Sequence, residues 1–272
     1  MALLPHFTHP WDVSPAEARA LQDRLRAQVQ VVPLASPPRF VAGVDVSVQD
    51  EVARAAVVLL SFPDLSPVEA STAQVPVSFP YIPGLLAFRE GPAVLAALER
   101  LRGQPDVLIF DAQGLAHPRR MGLATHLGIL LDWPSIGCAK SRLWGDHEEP
   151  PPQRGSWVPL WDGDEIIGAV LRTQMGVQPV YVSVGHRVDL ETAIDLVLAC
   201  APTYRLPEPI RWAHRVAGGG NPARRPPADA VLIFYAPIGH QPLWAPWAGC
   251  RPVPTPPVGI LPCFRPDRSE AH

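Results

Sequence analysis

Three strand-like runs follow one another almost without interruption: Phe40 to Val46, Ala55 to Phe62 and Val68 to Val77. Only short, turn-like connectors separate them, Gln49-Asp50-Glu51 and Pro63-Asp64-Leu65-Ser66-Pro67. Connectors of that length join antiparallel neighbours, so the spacing predicts a three-stranded meander. The pattern then changes to alternation. A helical stretch from Leu85 to Glu90 is expected to break at Gly91-Pro92 and resume from Ala93 to Leu101. A buried strand is expected over Val107 to Asp111, a helix near Met121 to Leu131 and a strand near Ser135 to Ala139. A hairpin (Val158 to Leu160, then Ile166 to Arg172), a strand Val180 to Val184 and a last helix starting at Asp189 complete the series. An antiparallel meander followed by α/β units implies an α/β fold with a mixed sheet flanked by helices. One further helix precedes the meander, marked by Ser14-Pro15-Ala16-Glu17, a capping box with proline at the first helical position. Ala18, Leu21, Leu25 and Val29 lie at helical spacing behind it.

Composition supports a packed domain. With 47% hydrophobic and 18% charged residues, the chain can bury a core. A net charge of -3 excludes a broadly basic binder, though not a local basic groove. Cys138, Cys200, Cys250 and Cys263 form no C-x-x-C pair, which suits free thiols in a reducing compartment. The N-terminus has no basic segment followed by an apolar one, and no apolar run approaches the ~20 residues that span a bilayer. A soluble, cytoplasmic monomer is expected. Residues 221–272 are dense in proline and lack helical periodicity, so a domain over 1–220 with an irregular or disordered extension is expected. Ala230 to Ala236 is the one strand-like run in that extension.

Several residues stand out for their chemistry. Asp45 interrupts an apolar strand, and Asp111 ends another after Val107-Leu108-Ile109-Phe110. A buried carboxylate without a partner is costly, so each needs a cation or a hydrogen-bond donor. If the two strands are parallel neighbours, the acids meet near one edge of the sheet. Glu90 could add a third oxygen from a covering helix, a set suited to Mg²⁺ or Mn²⁺. Alternatively, the acids merely end strands or cap helices. Lys140 is the only lysine in a chain with 23 basic residues, which suggests work a guanidinium cannot do. Chance survival is the competing explanation. His117-Pro118-Arg119-Arg120 sits in a loop before a helix, where Arg119 and Arg120 could hold phosphate oxygens or simply face solvent. Pro80-Tyr81-Ile82-Pro83 is a stiffened loop bearing an aromatic ring, either a wedge for opening a duplex or a turn packed on the core. His126 reads as a hydrogen-bonded helix residue rather than a ligand, His186 as a loop or cap residue, and Trp157, Trp161 and Trp212 as packing residues.

Taken in order, these segments resemble the endonuclease V (deoxyinosine 3′ endonuclease) family. The resemblance runs through Val41-Ala42-Gly43-Val44-Asp45-Val46-Ser47, Pro80-Tyr81-Ile82-Pro83-Gly84 with Phe88-Arg89-Glu90, and Phe110-Asp111 with Gly114 and His117-Pro118-Arg119-Arg120. It continues through Ile136-Gly137-Cys138-Ala139-Lys140, Gly185-His186-Arg187, and Tyr204 to Pro209 with Arg211-Trp212-Ala213-His214, spanning roughly residues 10–217. The resemblance implies a ribonuclease H-like fold and Mg²⁺, or Mn²⁺ in its place, held by Asp45 and Asp111. Glu90, Lys140 and His214 would complete the catalytic set, and Pro80, Tyr81, Ile82 and Pro83 would form a wedge. Gly84, Leu86, His117 and Gly122 would line the pocket for an extruded hypoxanthine. The implied activity hydrolyses the second phosphodiester bond 3′ to deaminated adenine in DNA, leaving a 3′-hydroxyl and a 5′-phosphate. Inosine in RNA is the rival substrate, and a binder without catalysis the rival class. The acids and the lysine that such a binder would have lost are present. One departure is Ala112, where the family usually has glycine.

Overall fold

The computed structural model describes residues 3–220; the proline-rich extension expected over 221–272, with its strand-like run, lies outside the described residues. Strands β1 (Phe40–Gln49), β2 (Val52–Ser61) and β3 (Pro67–Pro76) form the expected meander. They are followed by β4 (Val107–Phe110), β5 (Ser135–Ala139), the hairpin β6 (Trp157–Asp162) and β7 (Glu165–Leu171), and β8 (Val180–His186). All eight join one sheet in the order β3-β2-β1-β4-β5-β8-β7-β6. Only β1–β4 and β4–β5 pair in parallel, so the sheet is mixed.

Helices cover both faces. Helix α2 (Leu86–Arg100) and α3 (Leu123–Leu131) pack on one side, over Ala42, Val44, Val57, Leu108 and Phe110. Helices α4 (Leu190–Ala199) and α5 (Glu208–Ala217) pack on the other, over Val41, Val58, Ile109 and Ile136. The alternation of strand side chains thus assigns each position to a face. Helix α1 (Pro15–Leu25) begins at the capping box: Ser14 Oγ accepts the Glu17 N–H at 3.3 Å and Glu17 Oε2 accepts the Ser14 N–H at 2.8 Å. Val29 falls beyond a 3₁₀ turn at Arg26–Gln28, outside the helix.

Three expectations are corrected. Helix α2 does not break at Gly91-Pro92; it runs straight through Pro92. One missing hydrogen bond is offset by the buried stripe Ala87, Phe88, Val94, Ala97 and Leu98, and Gly91 admits the ring of Trp11 where a Cβ would lie 2.8 Å from it. The helix starting after Asp189 is not the last, because α5 follows it. Pro209 in the first turn and the buried set Ile210, Trp212, Ala213, Val216 and Ala217 mark that helix. Trp212 packs as expected, whereas Trp157 and Trp161 are exposed on β6. No helix among the described residues is long and apolar enough to cross a membrane.

Candidate active site

The parallel pairing of β1 with β4 places Val44 opposite Phe110, and β4 ends there. Asp45 and Asp111 are the next residue on each chain, and the Asp111 N–H donates to Val44 O at 3.0 Å. Val41 and Ile109 face α5, so by strand alternation Asp45 and Asp111 share that face. Ile136 and Cys138 on β5 face the same way, and alternation carries Lys140 there too. Helix α5 supplies His214, whose Nδ1–H donates to Asp45 Oδ2 at 2.8 Å. Lys140 Nζ donates to Asp111 Oδ2. One ligand atom each from Asp45, Asp111 and His214 falls within 4.8 Å of the others.

Glu90 lies on α2, across the sheet from α5, yet feels the charges of both aspartates. Burial, with the charges of Asp45 and then Asp111 adding to it, pushes its pKa from 4.5 to about 8. Burial also raises the Asp111 carboxyl, although the Lys140 contact pulls the other way. Carboxylates coupled in this way resist simultaneous ionisation unless a cation sits beside Asp45 and Asp111. Their hard oxygen donors, with an imidazole beside them, fit a divalent ion such as Mg²⁺ or Mn²⁺. Ala112 leaves the ligand strand with an ordinary negative φ, so no glycine is needed at that turn.

Beside the acids lies a cavity of about 210 Å³. Tyr81, Ile82, Pro83, Gly84 and Leu86 form one wall, and His117, Met121 and Gly122 another. Ala112 and Ala139, neighbours of Asp111 and Lys140, also line it, so the cavity adjoins the acids. Tyr81 is 69% exposed at its edge, whereas Ile82 packs toward Phe79, Leu85 and Phe88. Pro80 is exposed at the head of the same loop. His117 is buried and neutral. Its Nε2–H donates to Gly84 O at 2.9 Å while Nδ1 accepts the Arg119 N–H at 3.0 Å. Burial, aided by the charges of Arg119 and Arg120, lowers its pKa to about 4.

Arg119 and Arg120, the expected phosphate contacts, both have protein partners in this structure. Arg119 donates to Gln22 Oε1 at 2.6 Å and to Gly84 O at 2.9 Å. Arg120 pairs with Asp162 at 2.7 Å and Glu165 at 2.6 Å. Arg119 braces the loop at Gly84, and Arg120, partly exposed, is shared between Asp162 and Glu165. Buried His126 on α3 hydrogen-bonds to His9, as expected of a helix residue, whereas His186 is no loop or cap residue but the buried last residue of β8, bonded to Asp132. Sequence reasoning missed Gln22. It sits wholly buried among Ala18, Leu21 and Leu25, and a polar residue on an apolar stripe was the available signal.

A ribonuclease H-like sheet with one acid inside β1 and another directly after its parallel neighbour β4 has the arrangement of a phosphodiester-hydrolysing nuclease. Comparison with known proteins narrows this. The endonuclease V family profile matches residues 23–215. The endonuclease V of Roseiflexus castenholzii is 56% identical over 217 residues, covering 80% of this chain and 98% of that protein. The crystal structure of endonuclease V from Streptomyces avermitilis superposes with TM-score 0.74 at 48% identity, over 77% of this chain and 93% of that one. A Ciona intestinalis endonuclease V, solved with a 24mer DNA containing an inosine followed by a ribo-adenosine, is 29% identical with TM-score 0.64, over 75% and 96%. The chain belongs to the endonuclease V family.

Proposed function

We propose that this chain is a DNA repair endonuclease that recognises hypoxanthine and hydrolyses the second phosphodiester bond 3′ to it, leaving a 3′-hydroxyl and a 5′-phosphate. The observation that carries this reading is the β1–β4 register, which sets Asp45, Asp111 and His214 together beside a cavity able to take an extruded base. Hypoxanthine pairs weakly, so its extrusion costs less than that of a normal base. Tyr81 fills the gap left in the stack, held by the loop from Pro80 through Ile82 to Pro83. The base enters between Gly84 and Leu86 on one side and His117 and Gly122 on the other.

Asp45 and Asp111 would hold Mg²⁺ or Mn²⁺, with His214 alongside. Such an ion supplies positive charge to the phosphoryl oxygens and favours ionisation of water near it. Lys140 orients Asp111 and presents a compact charge to the scissile phosphate, and Glu90 adds a carboxyl that could accept a proton once a cation's charge lets it ionise. Residues 1–220 act as the catalytic domain, which the span of the family match supports. Free, buried Cys138 and Cys200 suit a cytoplasmic setting.

The Ciona complex, with its ribo-adenosine after inosine, favours a second reading in which inosine-containing RNA is cut at the same site. Cleavage of matched DNA and RNA oligonucleotides, each with and without inosine and with and without Mg²⁺, tests both. Mg²⁺-dependent cutting of the inosine DNA is expected. Cutting confined to RNA would transfer the assignment to the second reading, and no dependence on inosine would refute both.

A further inference from the structure

Gln22 occupies a core position on α1, beneath the two loops that wall the cavity. A buried amide needs partners, and this one finds them on both loops. Its Nε2 donates to Gly84 O at 3.0 Å and to Met121 O at 3.1 Å, while Oε1 accepts from Arg119 Nε at 2.6 Å. Both carbonyls can only accept, which fixes the amide orientation. The Gly84 carbonyl also takes donors from His117 Nε2 and Arg119 Nη2, both at 2.9 Å. Three donors therefore hold one peptide whose φ is +80°, and a Cβ there would lie 3.0 Å from Arg119 Nη2.

We propose that Gln22 is a positioning residue for lesion recognition. By bridging Gly84 and Met121 it sets the distance between the wedge loop and the loop from His117 to Gly122, and so the width offered to a purine. The inference rests on the base-pocket reading above and extends it to a side chain outside the cavity, one that acts only through the carbonyls it holds. Asp45 and Asp111 have no hydrogen bond to this bracket. Its loss therefore acts on recognition of the base and spares the chemical step.

Gln22→Met keeps the length and volume of the side chain but removes its hydrogen bonds. Steady-state kinetics on an inosine duplex and an otherwise identical undamaged duplex give the readout, with melting temperatures alongside. KM for the inosine duplex is expected to rise about 10-fold while kcat changes less than about 3-fold. The preference for inosine in kcat/KM is expected to fall by about the same 10-fold. Gln22→Asn stays polar but is too short to span both carbonyls, so it should shift the same way even if the Met variant folds poorly. Ser71→Ala is the control. Ser71 Oγ donates to Ala97 O at 2.8 Å between β3 and α2, so its loss should lower the melting temperature and leave the preference intact. Wild-type KM and preference in a folded Gln22 variant would overturn the proposal, as would an equal loss of preference in Ser71→Ala. A wild-type enzyme that cuts both duplexes alike overturns the base-pocket reading itself.

Discussion

Lys140 and Asp111 show how a single side chain type becomes necessary. Asp111 is buried, its carboxyl raised by desolvation, and the lysine ammonium answers that cost with a point charge at one oxygen. A guanidinium spreads the same charge over a planar fork and needs more room. Lys140→Arg is therefore expected to lower the cleavage rate at least about 10-fold without changing the melting temperature much. A rate within twofold of wild type would mean that the chain's lone lysine is there by chance. Tyr81 makes a different case, since its ring touches solvent more than protein. If it replaces the extruded base, Tyr81→Ala loses stacking worth about 1–3 kcal/mol, or roughly 5- to 150-fold in affinity for an inosine duplex. The loss should be smaller on single strands, which have no opposing base to be kept apart. Equal losses on both substrates, together with a lower melting temperature, would make Tyr81 a packing residue.

At the scale of elements, the site depends on how closely α5 lies on β1. Gly43 makes that approach possible: a Cβ there would fall 1.9 Å from the Pro209 carbonyl oxygen, one turn and a residue before His214. Gly43→Ala should push α5 outward, costing about 1–3 kcal/mol in overpacking. It should also raise the Mg²⁺ concentration for half-maximal cleavage, because His214 moves away from Asp45. Gly218→Ala, at the end of the same helix with φ −75° and no atom nearer than 3.5 Å to the added carbon, should behave as wild type. Unchanged melting and Mg²⁺ dependence in Gly43→Ala would show that α5 tolerates the shift. The meander was legible because its connectors were too short for any other pairing. The acids were legible because a carboxylate is conspicuous in an apolar strand. The helical bounds were harder. Gly91-Pro92 reads locally as a break, yet burial of the residues on either side outweighs one missing hydrogen bond. Helix α5 was hidden by the prolines at its start, which read as loop unless the apolar spacing behind them is counted. For Arg119 and Arg120 the sequence shows charge but not the partners, Gln22, Asp162 and Glu165, that fold onto it.

The whole molecule carries titratable groups of opposite sign, and their balance predicts how stability depends on pH. His117 and His126 are held neutral, with pKa values lowered by burial from 6.5 to about 4 and about 3; His9 shifts the same way. The hydrogen bonds agree with neutral rings. His9 donates Nδ1–H to Pro10 O and faces His126 Nε2 at 2.7 Å, and His126 Nδ1 has no partner to receive a second proton's bond. Because these folded pKa values lie below the unfolded one, the unfolded chain takes up protons first. Their contribution is complete above pH 6.5 and is lost as pH falls toward 4 and 3. Glu90 runs the other way. Its folded pKa of about 8 lies above 4.5, so its contribution is complete below pH 4.5 and is lost as pH rises through 8. Without metal the two slopes oppose each other between about pH 4.5 and 6.5, and of these the Glu90 slope alone continues above 6.5. In chelator the melting temperature should therefore fall from pH 6.5 to 8.5 by several degrees, at about 2–4 °C per kcal/mol for a chain of this size. Glu90→Gln should remove that fall. Added Mg²⁺ should remove it too, by supplying the charge that lets Glu90 ionise in the folded state. Neither change touches the histidines, so the acid-side loss should persist under both conditions and appear steeper once the opposing slope is gone. A melting temperature that declines above pH 6.5 equally in wild type, in Glu90→Gln and in saturating Mg²⁺ would show that the acid cluster is not the source.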